Sequence, residues 1–135
     1  MKNCIIFSLL FYVLSSCTTT TTRTKEPVFD ISTTSIENEI NTLVSCKGIN
    51  LNGKETTENG NISSELEIHI INGQNIPTGD TQMIDLGRKI AIVFKKALKN
   101  TLDYQTYRVL FITETENAGS TNQTWKGKTF KIEEL

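Results

Sequence analysis

Residues 80–100, DTQMIDLGRKIAIVFKKALKN, predict a long amphipathic helix around which the domain is expected to pack. At about 100° per residue, the apolar side chains of this stretch fall on one half of the helix cylinder. They are Met83, Ile84, Leu86, Gly87, Ile90, Ala91, Val93, Phe94, Ala97 and Leu98. Asp80 is the expected N-cap, because its side chain can accept hydrogen bonds from free amides of the first turn.

The other half of this helix is basic. Its cations are Arg88, Lys89, Lys95, Lys96 and Lys99. Cations near a helix C-terminus are stabilised by the helix dipole, which accounts for part of this charge. A solvated face is one interpretation. The other is weak attraction to anionic lipid headgroups or an acidic partner, at about 1 kcal/mol per cation near a charged surface, and apolar Ile92 within the face favours such contact.

Further patterns lie on both sides of the long helix. Thr34 and Glu37 have capping-box spacing, and the apolar stripe after them predicts a helix over 35–47 that stops at Gly48. Apolar alternation predicts strands at 49–51, 63–71, 104–114 and 124–132, with polar loops at 53–60 and 115–122. This order favours an α+β domain: a mainly antiparallel four-stranded sheet with both helices on one face.

Alternation within the strands assigns each side chain to one of two sheet faces. The face expected to meet the helices contains Leu66, Ile68, Ile70, Tyr107, Val109, Phe111, Phe130 and Ile132. The opposite face contains Glu67, His69, Ile71, Arg108, Leu110, Ile112, Trp125, Thr129 and Lys131.

That second face mixes apolar and charged residues, which is typical of a partner-binding patch. We expect Trp125 to anchor a protein or glycan partner, with Ile71, Leu110 and Ile112 as apolar neighbours. Arg108, His69 and Glu67 would give polar specificity. Two structural alternatives stay open: residues 28–31 cover the patch, or a bulge shifts the register of one strand.

The first 17 residues, MKNCIIFSLLFYVLSSC, predict an export signal. Lys2 gives the positive start, residues 5–14 the apolar segment, and Leu-Ser-Ser-Cys the end at Cys17. This ending resembles the lipobox of bacterial lipoproteins. The resemblance implies cleavage before Cys17 and an acylated N-terminus held in the cell envelope. Plain secretion and a short membrane anchor are the alternatives, although the apolar segment is shorter than the ~20 residues that span a bilayer.

The resemblance also bears on location and on the domain boundaries. In enterobacterial members of that family, Asp after the acylated cysteine retains the protein at the inner membrane. Thr18 stands there in this chain, which favours an outer-membrane address. We therefore divide the chain into a signal peptide at 1–16, an acylated cysteine with a flexible Thr-rich tether at 17–32, and one α+β domain at 33–135.

The charge balance argues against a nucleic-acid-binding protein, and the cysteine positions argue against a disulfide-stabilised one. After removal of the signal, the chain carries 13 basic and 15 acidic residues, so the basic excess expected of a nucleic-acid-binding protein is missing. We expect Cys4 to leave with the signal and Cys17 to be consumed by acylation. Cys46 is then alone, and no intramolecular disulfide can form.

No catalytic, metal or cofactor motif emerges. His69 is the single histidine, and no cysteines or carboxylates with ligand spacing surround it. Cys46 with His69 as base is the one conceivable thiol site, but no orienting Asn or Asp is identifiable. Glu133 and Glu134 are adjacent and would point to opposite sides of an extended chain. The glycines form no phosphate loop.

These observations favour a membrane-anchored envelope lipoprotein that acts as a non-catalytic binding or interaction module. Such a module would recognise a protein, peptide or glycan. The alternatives are a structural accessory subunit of an envelope complex, held mostly through its helix, and an inhibitor or immunity-type lipoprotein. The last of these rests on analogy alone.

Overall fold

The computed structural model describes residues 19–135, so Cys17 and the signal lie outside the described residues. The helices are α1 (Thr33–Leu43) and α2 (Asp80–Ala97). The strands are β1 (Thr20–Thr24), β2 (Gly48–Glu58), β3 (Asn61–Ile71), β4 (Thr106–Asn117) and β5 (Ser120–Lys131). Two 3-10 turns follow α2 and β5, at Thr101–Asp103 and Ile132–Glu134. No helix in the described range is long and apolar enough to cross a membrane.

The five strands form one sheet, in which their order is also their order along the chain. β3 and β4 are parallel, and the other neighbours are antiparallel. The α+β class with two helices is thus confirmed, whereas the expected four-stranded antiparallel sheet is corrected to a five-stranded mixed one. The parallel pair follows from α2, because a helical crossover brings the chain back to the start of β3 before β4 begins.

Both helices pack on the same face of the sheet. Ile36 and Ile40 from α1 join Ile90 and Phe94 from α2 in one apolar cluster. The inward strand residues in it are Leu66, Ile68, Ile70, Tyr107, Val109, Phe111 and Phe130, all of them buried. Strand alternation therefore predicted this face correctly. Ile132 lies in the final 3-10 turn instead of a strand and is partly buried against the cluster.

The chain before α1 departs from the expected flexible tether. Its residues 20–24 form the edge strand β1, paired with β2. The Lys25 amide then donates to the Gly53 carbonyl at 2.8 Å, and the Asp30 amide to the Ala97 carbonyl at 3.0 Å. The Thr-rich composition suggested disorder because it is polar, but β-branched threonine suits an extended strand when a partner strand is present.

Helix limits also differ from those expected. α1 begins after Ser32, whose hydroxyl accepts from the Ser35 amide at 3.3 Å, and it ends at Leu43. Thr34 is therefore inside the helix, and Gly48 begins β2 instead of stopping α1. α2 begins at the expected residue, but Gly79 occupies the N-cap.

The two expected polar loops are two-residue hairpin turns. The turn between β2 and β3 is Asn59-Gly60, with φ of 50° and 82°. The turn between β4 and β5 is Ala118-Gly119, with φ of 33° and 94°. Positive φ at both central residues matches the right-handed twist of the flanking strands. The strands consequently continue through polar residues that sequence patterns assigned to loops.

Candidate functional site

The sheet face opposite the helices, called the far face below, brings together every residue of the expected binding patch. Strand pairing arranges them in three rows that cross β3, β4 and β5. The rows are Ile71, Ile112 and Trp125; His69, Leu110 and Gly127; and Glu67, Arg108 and Thr129. No register shift inverts a strand, so this alternative is wrong. Residues 28–31 do not cover the patch either, because Phe29 pairs with Leu98 and packs on the helix side.

Trp125 is exposed on this face. Its exposed fraction is 62%, so its ring contributes little to the core. The guanidinium of Arg108 lies over the ring, 5.5 Å from the centroid. A cation in this position is attracted to the ring and holds its orientation. The indole is thus pre-positioned at the rim of the sheet without being buried.

Leu110 is the apolar residue of the middle row, one row away from the indole. Its exposed fraction is 8% although both helices lie on the other side of the sheet. Gly127 makes this possible, because a β-carbon there would lie 2.6 Å from Leu110 Cδ2 and would overlap the Val109 carbonyl oxygen. The missing side chain on β5 leaves the space that Leu110 occupies.

Glu67 is the centre of a charge cluster in the third row. Its carboxylate accepts from Lys54 Nζ at 2.9 Å and from Asn52 Nδ2 at 3.2 Å. Arg108 lies 3.4 Å from the same carboxylate, and Lys54 also reaches Glu65 at 3.1 Å. Burial alone would raise the pKa of Glu67, but the hydrogen bonds from Lys54 and Asn52 hold it below its usual value. The hydrogen bond to Glu67 in turn raises the pKa of Lys54.

Lys54 and Asn52 are the members of this cluster that the sequence interpretation missed. Both lie on β2, in register with Glu65 and Glu67 of β3. The alternation Asn50, Asn52, Lys54 was the available signal. The polar composition of residues 53–60 hides this signal, because it favours a loop.

His69 lies next to this cluster, and its Nε2 is 3.5 Å from a Glu67 oxygen. That nitrogen is buried and makes no hydrogen bond to any described residue. Within residues 19–135, no group of three or more His, Cys, Asp or Glu side chains could hold a metal ion. The cluster thus places charged and hydrogen-bonding groups side by side on the far face.

Cys46 and His69 do not come together. Cys46 packs against the apolar cluster on the helix side, while His69 is on the far face. Burial raises the pKa of the Cys46 thiol, which is the opposite of what activates a cysteine nucleophile.

Two of the five cations on the expected basic face of α2 make structural contacts, and the other three are exposed. Arg88 donates to the Glu134 carbonyl at 2.7 Å and lies 5.2 Å from the Phe130 ring centroid. Lys95 donates to the carbonyls of Ile132 and Leu135 at 2.9 and 2.6 Å. These two cations hold the C-terminal turn against the helix. Lys89, Lys96 and Lys99 are exposed, so the five do not act as one free surface.

Similarity to other proteins does not assign a role to these residues. Three comparisons, with family models, with curated proteins and with solved structures, find no match to this chain.

Proposed function

We propose that this protein is a lipid-anchored envelope protein that binds a protein partner through its far face, without catalysis. The observation that carries the proposal is the exposed Trp125 held by Arg108, with apolar Ile112 beside it in the same row. Tryptophan and arginine are the residues most enriched among those that dominate binding energy at protein interfaces. The anchor is supported by the lipobox-like sequence that ends at Cys17.

A protein partner fits this face better than a glycan. Glycans commonly stack on an open aromatic ring, but Arg108 already occupies one side of the indole. The far face is also the broad surface of a sheet, with apolar residues and a charge cluster side by side. A protein surface can cover both regions at once, which gives affinity through the indole and orientation through the charges.

The charge cluster supplies specificity in this proposal. Glu67 is only 9% exposed and already paired, so a partner that covers it needs little further desolvation of the carboxylate. A partner with an apolar group over Lys54 and Arg108 would leave those cations poorly solvated. A partner with an acceptor at that position is therefore favoured over one without it.

The accessory-subunit alternative relies on α2, whose outer surface is less suited to a stable contact. Arg88 and Lys95 are engaged by the C-terminal turn. Ile92 is half-buried, and its neighbours on that surface are exposed lysines. Lysine is depleted at protein interfaces, which favours the far face as the site of contact. An inhibitor or immunity role is compatible with the same face and would be recognised by the identity of the partner.

Substitution of Trp125 tests the proposal. In intact envelopes, the tagged full-length protein is joined to its neighbours with an amine-reactive crosslinker, and the captured protein is quantified. Trp125→Ala should reduce this capture about tenfold, which corresponds to ~1.4 kcal/mol. Its melting temperature should stay nearly unchanged, because the removed side chain is mostly exposed.

Ile31→Ala is the matched control, since Ile31 is an apolar residue that is 46% exposed but lies just before α1 and not on the far face. It should leave the capture unchanged. Equal loss in both variants would contradict the assignment of the binding face. Captured material that is sensitive to glycosidase and contains no protein would replace the protein partner by a glycan.

A further inference from the structure

The N-terminus of the described chain lies at one end of the sheet. Thr20 pairs with Glu58, the last residue of β2. The Thr19 carbonyl accepts from the Asn59 amide at 3.3 Å. The chain therefore enters the domain directly beside the Asn59-Gly60 turn. This end of the sheet, formed by the turn, by Thr19 and Thr20, and by the adjoining ends of β2 and β3, is called the entry end below.

The distance from this point to the expected lipid attachment site is short. Two peptide units separate Cys17 from Thr19, and a fully extended chain covers at most about 7 Å over that length. A domain attached over so short a length cannot be separated from the lipid headgroups by a layer of solvent. Some part of the entry end must then contact the lipid surface.

Two large apolar side chains are exposed at the entry end. Ile62, in the second position of β3, is 58% exposed. Leu102 is 97% exposed in the 3-10 turn that joins α2 to β4. This turn is at the same end, because the Gln105 amide that follows it donates to the Ser64 carbonyl at 3.0 Å. Both side chains are large and apolar, and both are mostly exposed to solvent.

We infer that the entry end rests on the lipid surface, with Ile62 and Leu102 inserted into the interface and the long axis of β3 pointing away from it. This inference rests on the acylation of Cys17 in the proposed function. Insertion of apolar side chains to ~5–10 Å is typical of proteins that lie at the headgroup boundary. The entry end also carries Glu58 and Asp103 alongside Lys96 and Lys99, so apolar contact contributes more than net charge.

This orientation displays the far-face patch away from the membrane. The Trp125 row crosses β3 at Ile71, the opposite end of an 11-residue strand. At ~3.3 Å per residue, that row lies on the order of 30 Å from the entry end. A partner could reach the indole without contacting lipid, and the Ala118-Gly119 turn would extend farther still.

Depth-dependent fluorescence quenching tests the orientation. The acylated full-length protein, with Cys46→Ser, receives a single labelling cysteine at Ile62, Leu102 or Asn117 and is reconstituted in vesicles of phosphatidylethanolamine and phosphatidylglycerol. Acylated Cys17 has no free thiol and does not react with the dye. With a quencher on the lipid headgroups, dyes at positions 62 and 102 should be quenched about threefold more than a dye at position 117, on the opposite end.

The same samples distinguish a failure of the proposed orientation from a failure of the proposed lipid anchor. Sedimentation with the vesicles reports anchoring, and circular dichroism reports folding. Protein that sediments and is folded, but shows equal quenching at the three positions or more at position 117, would overturn the orientation and leave the anchor intact. Protein that stays in the supernatant, as a Cys17→Ala variant should, would overturn both.

Discussion

Glu67 links stability to pH on the far face. Its pKa is lowered in the folded state, so its contribution to the free energy of unfolding is complete above the unfolded pKa of about 4.3. The contribution is lost as pH falls through the lower, folded pKa. Lys54 has a raised pKa, so its contribution is complete below about pH 10.4 and is lost as pH rises through the folded pKa.

Glu67→Gln should therefore lower the free energy of unfolding by about 1–2 kcal/mol at pH 7, because a hydrogen bond to a charged group is replaced by a neutral one. Urea unfolding at pH 7 and in steps below pH 5 measures the difference between wild type and variant. The difference should shrink as the pH falls. Glu116→Gln, exposed near the β4–β5 turn, is the control and should change little. A wild-type–variant difference that grows in acid would contradict the assigned direction of the Glu67 pKa.

Sequence reasoning found part of this residue-scale arrangement. Glu67 and Arg108 share a face by strand alternation alone, and their approach could be expected once β3 and β4 were neighbours. The Lys54 contact depends on where the β2–β3 turn lies, and a shift of the turn by one residue would move Lys54 to the other face. Trp125 was identified as exposed from alternation, whereas its stacking with Arg108 depends on the side-chain conformations of both residues.

At the scale of elements, Gly53 fixes the N-terminal segment to the sheet. A β-carbon at this position would overlap the Lys25 carbonyl oxygen and lie 2.7 Å from Tyr104 Oη. Tyr104 in turn donates to the Lys25 carbonyl at 2.7 Å. The absence of a side chain at Gly53 thus allows the Lys25 backbone, which follows β1, and the buried Tyr104 ring to meet at one point on β2.

Gly53→Ala should lower the free energy of unfolding by about 2 kcal/mol, since the backbone of the N-terminal segment must move to accommodate the added methyl group. Urea unfolding measures this loss, and amide hydrogen exchange at Lys25 should become faster. Gly48→Ala in the same strand is the matched control, because a β-carbon there meets no atom within 4 Å. A similar loss of stability in both variants would show that strand propensity, and not the crossing at Lys25, is responsible.

Elements with strong apolar alternation were predictable, and polar ones were not. Leu66, Ile68 and Ile70 identify β3 and its buried face without ambiguity. β1 contains four threonines and one arginine, and nothing in that composition indicates a pairing partner. The polar halves of β4 and β5 extend because their two-residue turn allows continuous pairing, which is a property of the hairpin and not of either strand alone.

At the scale of the whole molecule, the two ends of the sheet are proposed to have different tasks. The entry end carries the N-terminal strand and two exposed apolar side chains, and the opposite end carries the indole. α2 runs between these ends and holds the C-terminal turn through Arg88 and Lys95. Sequence patterns predicted the anchor and the helix, but the separation of the two surfaces depends on the strand order and could not be predicted.

Site-specific photocrosslinking in intact envelopes tests the central claim most directly. A photoreactive amino acid is placed at Thr129 on the far face, at Lys128 on the other face, or at Ile62. Thr129 and Lys128 are a matched pair, because both are exposed and they are adjacent in β5. We expect a protein adduct from position 129 that Trp125→Ala reduces about tenfold, little protein adduct from position 128, and a lipid adduct from position 62. A protein adduct from position 128 but not 129, or one at 129 that is undiminished in Trp125→Ala, would contradict the account.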